Sequence, residues 1–120
     1  MIIESQVVEI PDRMTSTSFE IAGFRTVENK GVVRGVVVRS RSVLGTLGAG
    51  LQTVFGGNIS LFTELAERTR QQAFGTMLIH AHLAGANAVV GVRYDANELM
   101  QGVTEVLCYG TAVTVVPAQG

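Results

Sequence analysis

The pattern of apolar positions divides the chain into strands and helices. Valines dominate residues 31–39, and such β-branched residues favour an extended strand over a helix. The same kind of pattern predicts two further strands over residues 88–94 and 103–116. Between these strands, the polar segment 95–98 and Gly102 are typical of a turn.

Apolar residues at three- and four-residue spacing predict two helices. The longer helix covers residues 60–84, with Ser60 as its N-cap and Gly85 as its C-terminal stop. The shorter helix covers residues 42–55, is weakened by internal glycines and ends at the Gly-Gly pair 56–57. The elements therefore predict an α+β fold, in which a small, mostly antiparallel sheet packs on one long helix with a short helix before it.

The whole chain, residues 1–120, is expected to form one domain, because its composition shows no break and its length suits a single core. Its first part is harder to interpret, since a short apolar start is followed by a Thr/Ser-rich run. We expect residues 1–23 to form either a loose arm or an added strand.

An apolar excess points to self-association. Hydrophobic residues make up 47% of the chain and charged residues only 16%, against roughly a quarter in an average soluble protein. The long helix also has a second apolar flank, formed by Phe74, Leu78 and Ala81 beside its main apolar stripe. Because large exposed apolar patches mark interfaces, we expect a homo-oligomer that uses this flank.

Charge and hydropathy exclude several kinds of partner. Nine basic and ten acidic residues give a net charge of −1, so no overall field attracts nucleic acid or anionic lipid. The chain lacks an apolar run long enough for a membrane helix, and its start lacks the pattern of a secretory signal. We therefore expect a cytoplasmic protein with no nucleic-acid or membrane partner.

The side chains that could carry chemistry are few and scattered. His80 and His82 lie about 200° apart on a helix, so they cannot bind the same ion, and Cys108 is expected to be a small core residue. We find neither paired carboxylates nor a Ser-His-Asp candidate, and we expect no catalytic residue, no cofactor and no metal site inside one subunit. A divalent metal held between symmetry-related copies of His82 or Cys108 remains an open alternative.

Arginines provide the main candidate for ligand binding. Arg39 and Arg41 are expected on one face of their strand, where with Arg34 or Arg93 they could bind an anion, the alternative being solvated charges at a sheet edge. The residues predicted to line a subunit interface or ligand cleft are Arg39, Arg41, Gly56, Gly57, Glu64, Phe74, Leu78, His82 and Gly110.

Two glycine-bearing segments carry a family resemblance. Residues 85–92, with the sequence Gly-Ala-Asn-Ala-Val-Val-Gly-Val, and residues 110–113, Gly-Thr-Ala-Val, follow the long helix behind the Gly-Gly pair. Together they resemble the YbjQ-like family, which is labelled as heavy-metal-binding. The chain departs from the family at Asn58, where a basic residue is usual, and at residues 62–63, Phe-Thr, where a Tyr-Glu pair is usual.

The resemblance implies a two-layer α/β unit like the dodecin subunit, assembled into a ring that is typically a pentamer. Because the chain also offers few positioned titratable groups, we expect a binding or scaffold module without catalysis. The alternative is a metal- or small-anion-binding protein with sites between subunits. Gly91 and Gly110 each interrupt a β-branched run, and we expect neither to tolerate a side chain.

Overall fold

Three antiparallel strands and one helix form the fold. The computed structural model describes residues 10–40 and 59–119. The elements are β1 (Phe24–Ser40), α1 (Ile59–Leu83), β2 (Ala88–Met100) and β3 (Val103–Pro117), preceded by a short 3₁₀ helix (Asp12–Met14). The strand order is β1-β3-β2, and α1 packs on one face of the sheet. The predicted α+β class is therefore confirmed, whereas the predicted short helix, Arg41 and the Gly-Gly pair lie outside the described residues.

β1 is longer than the sequence pattern indicates. It begins at Phe24, which pairs with Pro117, and its polar first part continues the ladder with β3. The register shifts between Thr26 and Glu28 and again between Asn29 and Gly31. Because each shift breaks the two-residue alternation of a strand, this half of β1 shows no strand pattern in the sequence.

The predicted turn at residues 95–98 is wrong. β2 continues to Met100, with Asp95 opposite Leu107 and Asn97 opposite Glu105, and the chain reverses only at Gly102. Every residue of β2 from Arg93 onward is exposed. Polar side chains at these positions face water within the strand, and so they resemble a turn in the sequence.

α1 agrees with the predicted helix to within one residue at each end. It begins at Ile59, so Ser60 lies inside the helix and not before it. Gly85 adopts φ 92°, its N–H donates to the His82 carbonyl at 2.9 Å, and the Ala86 N–H donates to the Ala81 carbonyl at 3.1 Å. These two bonds form a Schellman motif, which confirms Gly85 as the stop.

The second apolar flank of α1 lies in the core of its own subunit. Ala73, Met77 and Ala81 have no exposed surface, Leu78 is 4% exposed, and Phe74 is half-buried against the same cluster. The expectation that Leu78 and Ala81 are free for a neighbouring subunit is therefore wrong. α1 packs mainly on β1 and β3 and hardly reaches β2. Both the central stripe of the helix and its flank residues therefore contact the sheet.

Gly35 allows this close packing of α1 on β1. A Cβ atom at Gly35 would lie 2.0 Å from the Ala73 carbonyl oxygen, 2.7 Å from the Met77 nitrogen and 2.9 Å from the Thr76 Cβ. Two of these atoms belong to the helix backbone, so a side chain at this position would force the whole helix outward.

Residues 10–23, here called the N-terminal strap, cross the edge of β2 and pack on both faces of the sheet. Ile10 is buried in the cluster beneath α1, and Ile21 is buried on the opposite face with Val113 and Val115. The strap forms a parallel bridge between Thr15 and Val89. The Ser16 N–H donates to the Val89 carbonyl, while the Gly91 and Val92 N–H groups donate to the carbonyls of Ser18 and Ser16.

Replacing Gly35 by Ala should destabilise the protein by about 1–3 kcal/mol, because the new methyl group collides with helix backbone. Gly75→Ala is the matched control: it lies in α1 with no atom within 4 Å of its added Cβ, and alanine favours a helix by about 1 kcal/mol. Thermal unfolding followed by circular dichroism measures both. Equal melting temperatures for Gly35→Ala and the parent would contradict the packing described here.

Gly110→Val and Gly91→Val should each cost about 1–3 kcal/mol of stability. A Cβ at Gly110 would lie 2.8 Å from Val89 Cγ1 and 3.0 Å from the Val90 carbonyl oxygen, while Gly91 has φ 65° at a break in the β2–β3 register. Thr111→Val, beside Gly110 in the same strand, is the control that should melt like the parent. Chemical denaturation gives the three free energies, and a parent-like value for both glycine variants would refute this explanation.

Candidate functional site

The residues that carry the family resemblance have structural roles in this fold. Asn87 extends the sheet beyond the helix stop, because its Nδ2 donates to the Val115 carbonyl at 3.0 Å and its Oδ1 accepts from the Val115 N–H at 2.8 Å. Ala88 and Val89, which follow, are fully buried. The segment 85–92 thus ends α1, anchors β2 and shapes the break in its register, and none of these roles requires a ligand.

Cys108 is a core residue, as predicted. It is fully buried beneath α1, and its Sγ donates to the Met77 Sδ at 3.7 Å. Burial raises the pKa of the Cys108 thiol, an effect only partly offset by a hydrogen bond with Tyr94. Burial likewise raises the pKa of Tyr94 to about 12, so both groups stay protonated at neutral pH. A protonated, buried thiol is a poor nucleophile and a poor metal ligand.

The two histidines and the candidate carboxylate do not converge. His80 is exposed and its Nδ1 lies 2.6 Å from the Arg34 carbonyl oxygen, whereas His82 is half-buried two residues further along. Glu64 is exposed and lies about 27 Å from His82 along the helix axis, at 1.5 Å per residue. Within residues 10–40 and 59–119, no group of three or more His, Cys, Asp or Glu side chains could hold a metal ion. These side chains therefore do not fit a metal centre inside one subunit.

The predicted arginine cluster does not form in the described part of the chain. Arg39 is half-buried on the helix face of β1, but Arg34 lies an odd number of residues away and so on the opposite face. Arg93, also on that outer face, donates from Nη1 to the Thr17 carbonyl at 2.8 Å and to the Val92 carbonyl at 2.9 Å. Gly110 is buried inside the sheet, where a Cβ atom would lie 2.8 Å from Val89 Cγ1.

A groove lies where α1 fails to cover β2. We call it the α1–β2 groove, and its cavity volume is about 290 Å³. It is lined by Arg39 of β1, by Phe62, Leu65, Ala66, Thr69 and Arg70 of α1, by Ala96 of β2, and by Thr104 and Val106 of β3. Of the predicted cleft residues that the structure describes, only Arg39 lies there.

The sequence does not predict this groove, because its polar neighbours make Ala96 resemble a turn residue. With β2 extended to Met100, Ala96 is a small residue on the helix face of an edge strand, beside the exposed ring of Phe62. A small residue at an inward position is the pattern that could have indicated a gap.

The positive charge of the groove comes from two arginines. The guanidinium of Arg39 donates to Gln72 Oε1, a neutral partner that orients the group without cancelling its charge. Arg70 is exposed at the opposite wall, and among the described residues it forms no ion pair. None of the nine lining residues is acidic.

The sheet face opposite α1 is only partly covered. The N-terminal strap covers one end of it through Ile21, which packs near Phe24 at the start of β1. At the other end Val32, Val36 and Val38, here called the outer valine patch, are 70%, 42% and 51% exposed. Leu107 lies opposite Val36 and continues the apolar surface onto β3.

α1, the only long helix in the described ranges, is not apolar enough to span a membrane.

Comparisons with known proteins place this fold in a family. Residues 13–116 match the family described as "Putative heavy-metal-binding". A UPF0145 protein of Solibacter usitatus is 62% identical over 109 residues, which cover 91% of this chain and 97% of the relative. A UPF0145 protein of Chromobacterium violaceum is 53% identical over 111 residues, covering 92% and 95% of the two chains.

A crystal structure of a protein of unknown function, from the DUF74 family of Pediococcus pentosaceus, is also similar. It is 18% identical, its TM-score is 0.49, and the match covers 85% of this chain and 96% of that one. The family match spans most of the described fold, and the UPF0145 relatives match over nearly their whole length. The chain therefore belongs to the YbjQ family.

Proposed function

We propose that this protein is a small cytoplasmic homo-oligomer, assembled as a ring that is typically a pentamer, and that it acts as a binding or scaffold module without catalysis. The observation that supports assembly is the outer valine patch, three exposed apolar side chains on a sheet face that the described part of the subunit leaves uncovered. A second copy is the occupant that the family resemblance favours.

Burial of this patch would stabilise an assembly appreciably. Complete burial of a valine contributes about 1.5–3 kcal/mol relative to full exposure, so three partly exposed valines together supply several kcal/mol. Arg34 lies between Val32 and Val36, and Asp95 lies next to Leu107, so charges of both signs border the apolar centre. An apolar centre with a polar rim is typical of protein interfaces.

The sheet edges offer a second kind of contact. In the described part of the chain β1 pairs only with β3, which leaves its other edge without a strand. An exposed strand edge presents unpaired N–H and C=O groups to a neighbouring chain. A ring in which strand edges and sheet faces meet would therefore satisfy both unpaired backbone groups and exposed valines.

The state of the titratable groups supports a role without catalysis. A general acid or base needs a pKa near the working pH, but burial moves the pKa values of Cys108 and Tyr94 upward, away from neutrality. Neither histidine has a carboxylate partner among the described residues. A nucleophile oriented by a histidine and a carboxylate is thus not supported.

Val36→Glu should dissociate the assembly and leave the subunit folded, because a charge buried without a partner in an interface costs several kcal/mol. Sedimentation velocity at micromolar concentration measures the mass, and circular dichroism measures the fold. Gln71→Glu adds the same charge at an exposed position of α1 and should leave the mass unchanged.

Leu78→Glu tests whether the interface lies on the helix flank instead of on the outer valine patch. Because Leu78 is buried within the subunit, its replacement should unfold the chain. A parent protein that sediments at 12.7 kDa would contradict assembly altogether. A folded, dissociated Leu78→Glu variant would instead place the interface on the helix.

The second candidate function is metal or small-anion binding between subunits, which the family description favours. His82 is half-buried near the end of α1, and its side chain forms no hydrogen bond or ion pair within residues 10–40 and 59–119, so a ring could bring several copies together. Each subunit would then contribute one ligand to a shared ion.

If metal binds, its stoichiometry should be below one ion per chain, because one subunit lacks three convergent ligands in its described part. Native mass spectrometry and calorimetric titration with Zn²⁺, Cu²⁺ and Ni²⁺ measure this ratio. His82→Ala should abolish binding, Cys108→Ser should preserve it, and Val36→Glu should abolish it by dissociating the ring. A submicromolar one-to-one site that survives in Val36→Glu would contradict a shared site.

A further inference from the structure

The α1–β2 groove combines a long apolar surface with a cationic rim. Phe62 and Ala66 are both exposed on the helix wall, Ala96 is exposed on the strand wall, and Val106 forms part of the floor. Exposed apolar side chains that converge on one concavity are typical of a ligand site, in contrast to single apolar residues scattered over a surface.

Among the described residues that line this groove, both charged side chains are arginines. Arg39 and Arg70 come from two different elements, β1 and α1. The Arg39 guanidinium is held by a hydrogen bond to Gln72. Because the Arg39 side chain is already ordered, it loses less conformational entropy when it binds an anion. Guanidinium groups pair with carboxylates in a planar, two-bonded geometry.

From these features we infer that the α1–β2 groove binds a free medium-chain carboxylate, with the alkyl chain on Phe62, Ala66 and Val106 and the carboxylate at the arginine rim. This site lies within one subunit, so it goes beyond the proposed assembly and does not depend on it.

The size of the groove limits the ligand. At about 30 Å³ for each water-sized group, a volume of about 290 Å³ holds roughly ten non-hydrogen atoms, which is the size of octanoate. A much shorter acid would leave apolar wall exposed, and a much longer one would extend into solvent. The predominantly apolar lining disfavours a small, fully hydrated anion such as inorganic phosphate.

Calorimetric titration of the full chain with sodium octanoate tests this site. Arg39→Gln and Arg70→Gln should each weaken octanoate binding about tenfold, because each removes a charged hydrogen-bond donor from the rim. Arg68→Gln, an exposed arginine of α1 outside the groove, is the matched control and should bind like the parent. Octan-1-ol, which has the same chain and no charge, should bind equally to the parent and to the arginine variants.

Two variants report on the apolar part of the groove. The chain has no tryptophan, so Phe62→Trp places a single indole on the groove wall, and its emission should shift to shorter wavelength when octanoate binds. Ala66→Trp should fill the groove and abolish binding of both octanoate and octan-1-ol. Sedimentation of the same samples shows the oligomeric state separately, so a monomer that binds octanoate would overturn the ring and leave the groove intact.

Several outcomes would overturn the inference. Equal octanoate affinity in the parent and in both arginine variants would show that the carboxylate does not bind at the arginine rim. Binding that survives in Ala66→Trp would place the ligand elsewhere. A parent that binds no octanoate, together with an Ala66→Trp variant that melts at lower temperature than the parent, would show that protein atoms already fill the groove.

Discussion

The close contact between α1 and β1 at Gly35 determines the rest of the structure. Because Gly35 has no side chain, the backbone of α1 at Ala73 and Met77 lies directly against the strand. The helix axis is therefore drawn toward β1 and β3, and β2 receives little cover. The same displacement buries the flank of α1 at Leu78 within the subunit and leaves a groove beside β2. One missing methyl group thus accounts for both the buried helix and the open side of the sheet.

The molecule concentrates its apolar residues in two clusters on opposite faces of a thin sheet. Met77, Cys108 and Val89 are fully buried on the helix side, and a smaller cluster around Val113 and Val115 lies beneath the strap. Cysteine here acts as a core residue, since its thiol packs on the thioether of Met77 and burial keeps it protonated. The single thiol of the chain therefore contributes to packing.

Local patterns predicted the elements whose burial is regular. The valines of β1, the stop at Gly85 and the core position of Cys108 follow from β-branching, left-handed backbone geometry and apolar neighbours, and each can be recognised in a few residues. Patterns failed where long-range packing decides. Most residues of the segments 25–30 and 95–98 are polar and exposed to water, although these segments lie in strands.

The same limit applied to the candidate site. Arg34 and Arg39 are near neighbours in sequence, but the alternation of a strand separates them onto two faces. Nothing in the sequence of α1 alone indicates that Leu78 is buried against its own sheet while Phe62 stays partly exposed. Arg70 lies in a stretch of α1 that carries charges of both signs, and only the packing of the helix on the sheet brings it to the same groove as Arg39.

The N-terminal strap has a consequence for how sheets of this kind can grow. Ser16 and Ser18 already bond to Val89, Gly91 and Val92, so an incoming strand can pair with β2 only beyond Arg93. Continuous strand pairing between copies along the entire β2 edge, as in a fibril, would first require Ile10 and Ile21 to leave two separate clusters. The strap thereby opposes open-ended polymerisation, and the free energy that holds it in place comes from the burial of one isoleucine on each face of the sheet.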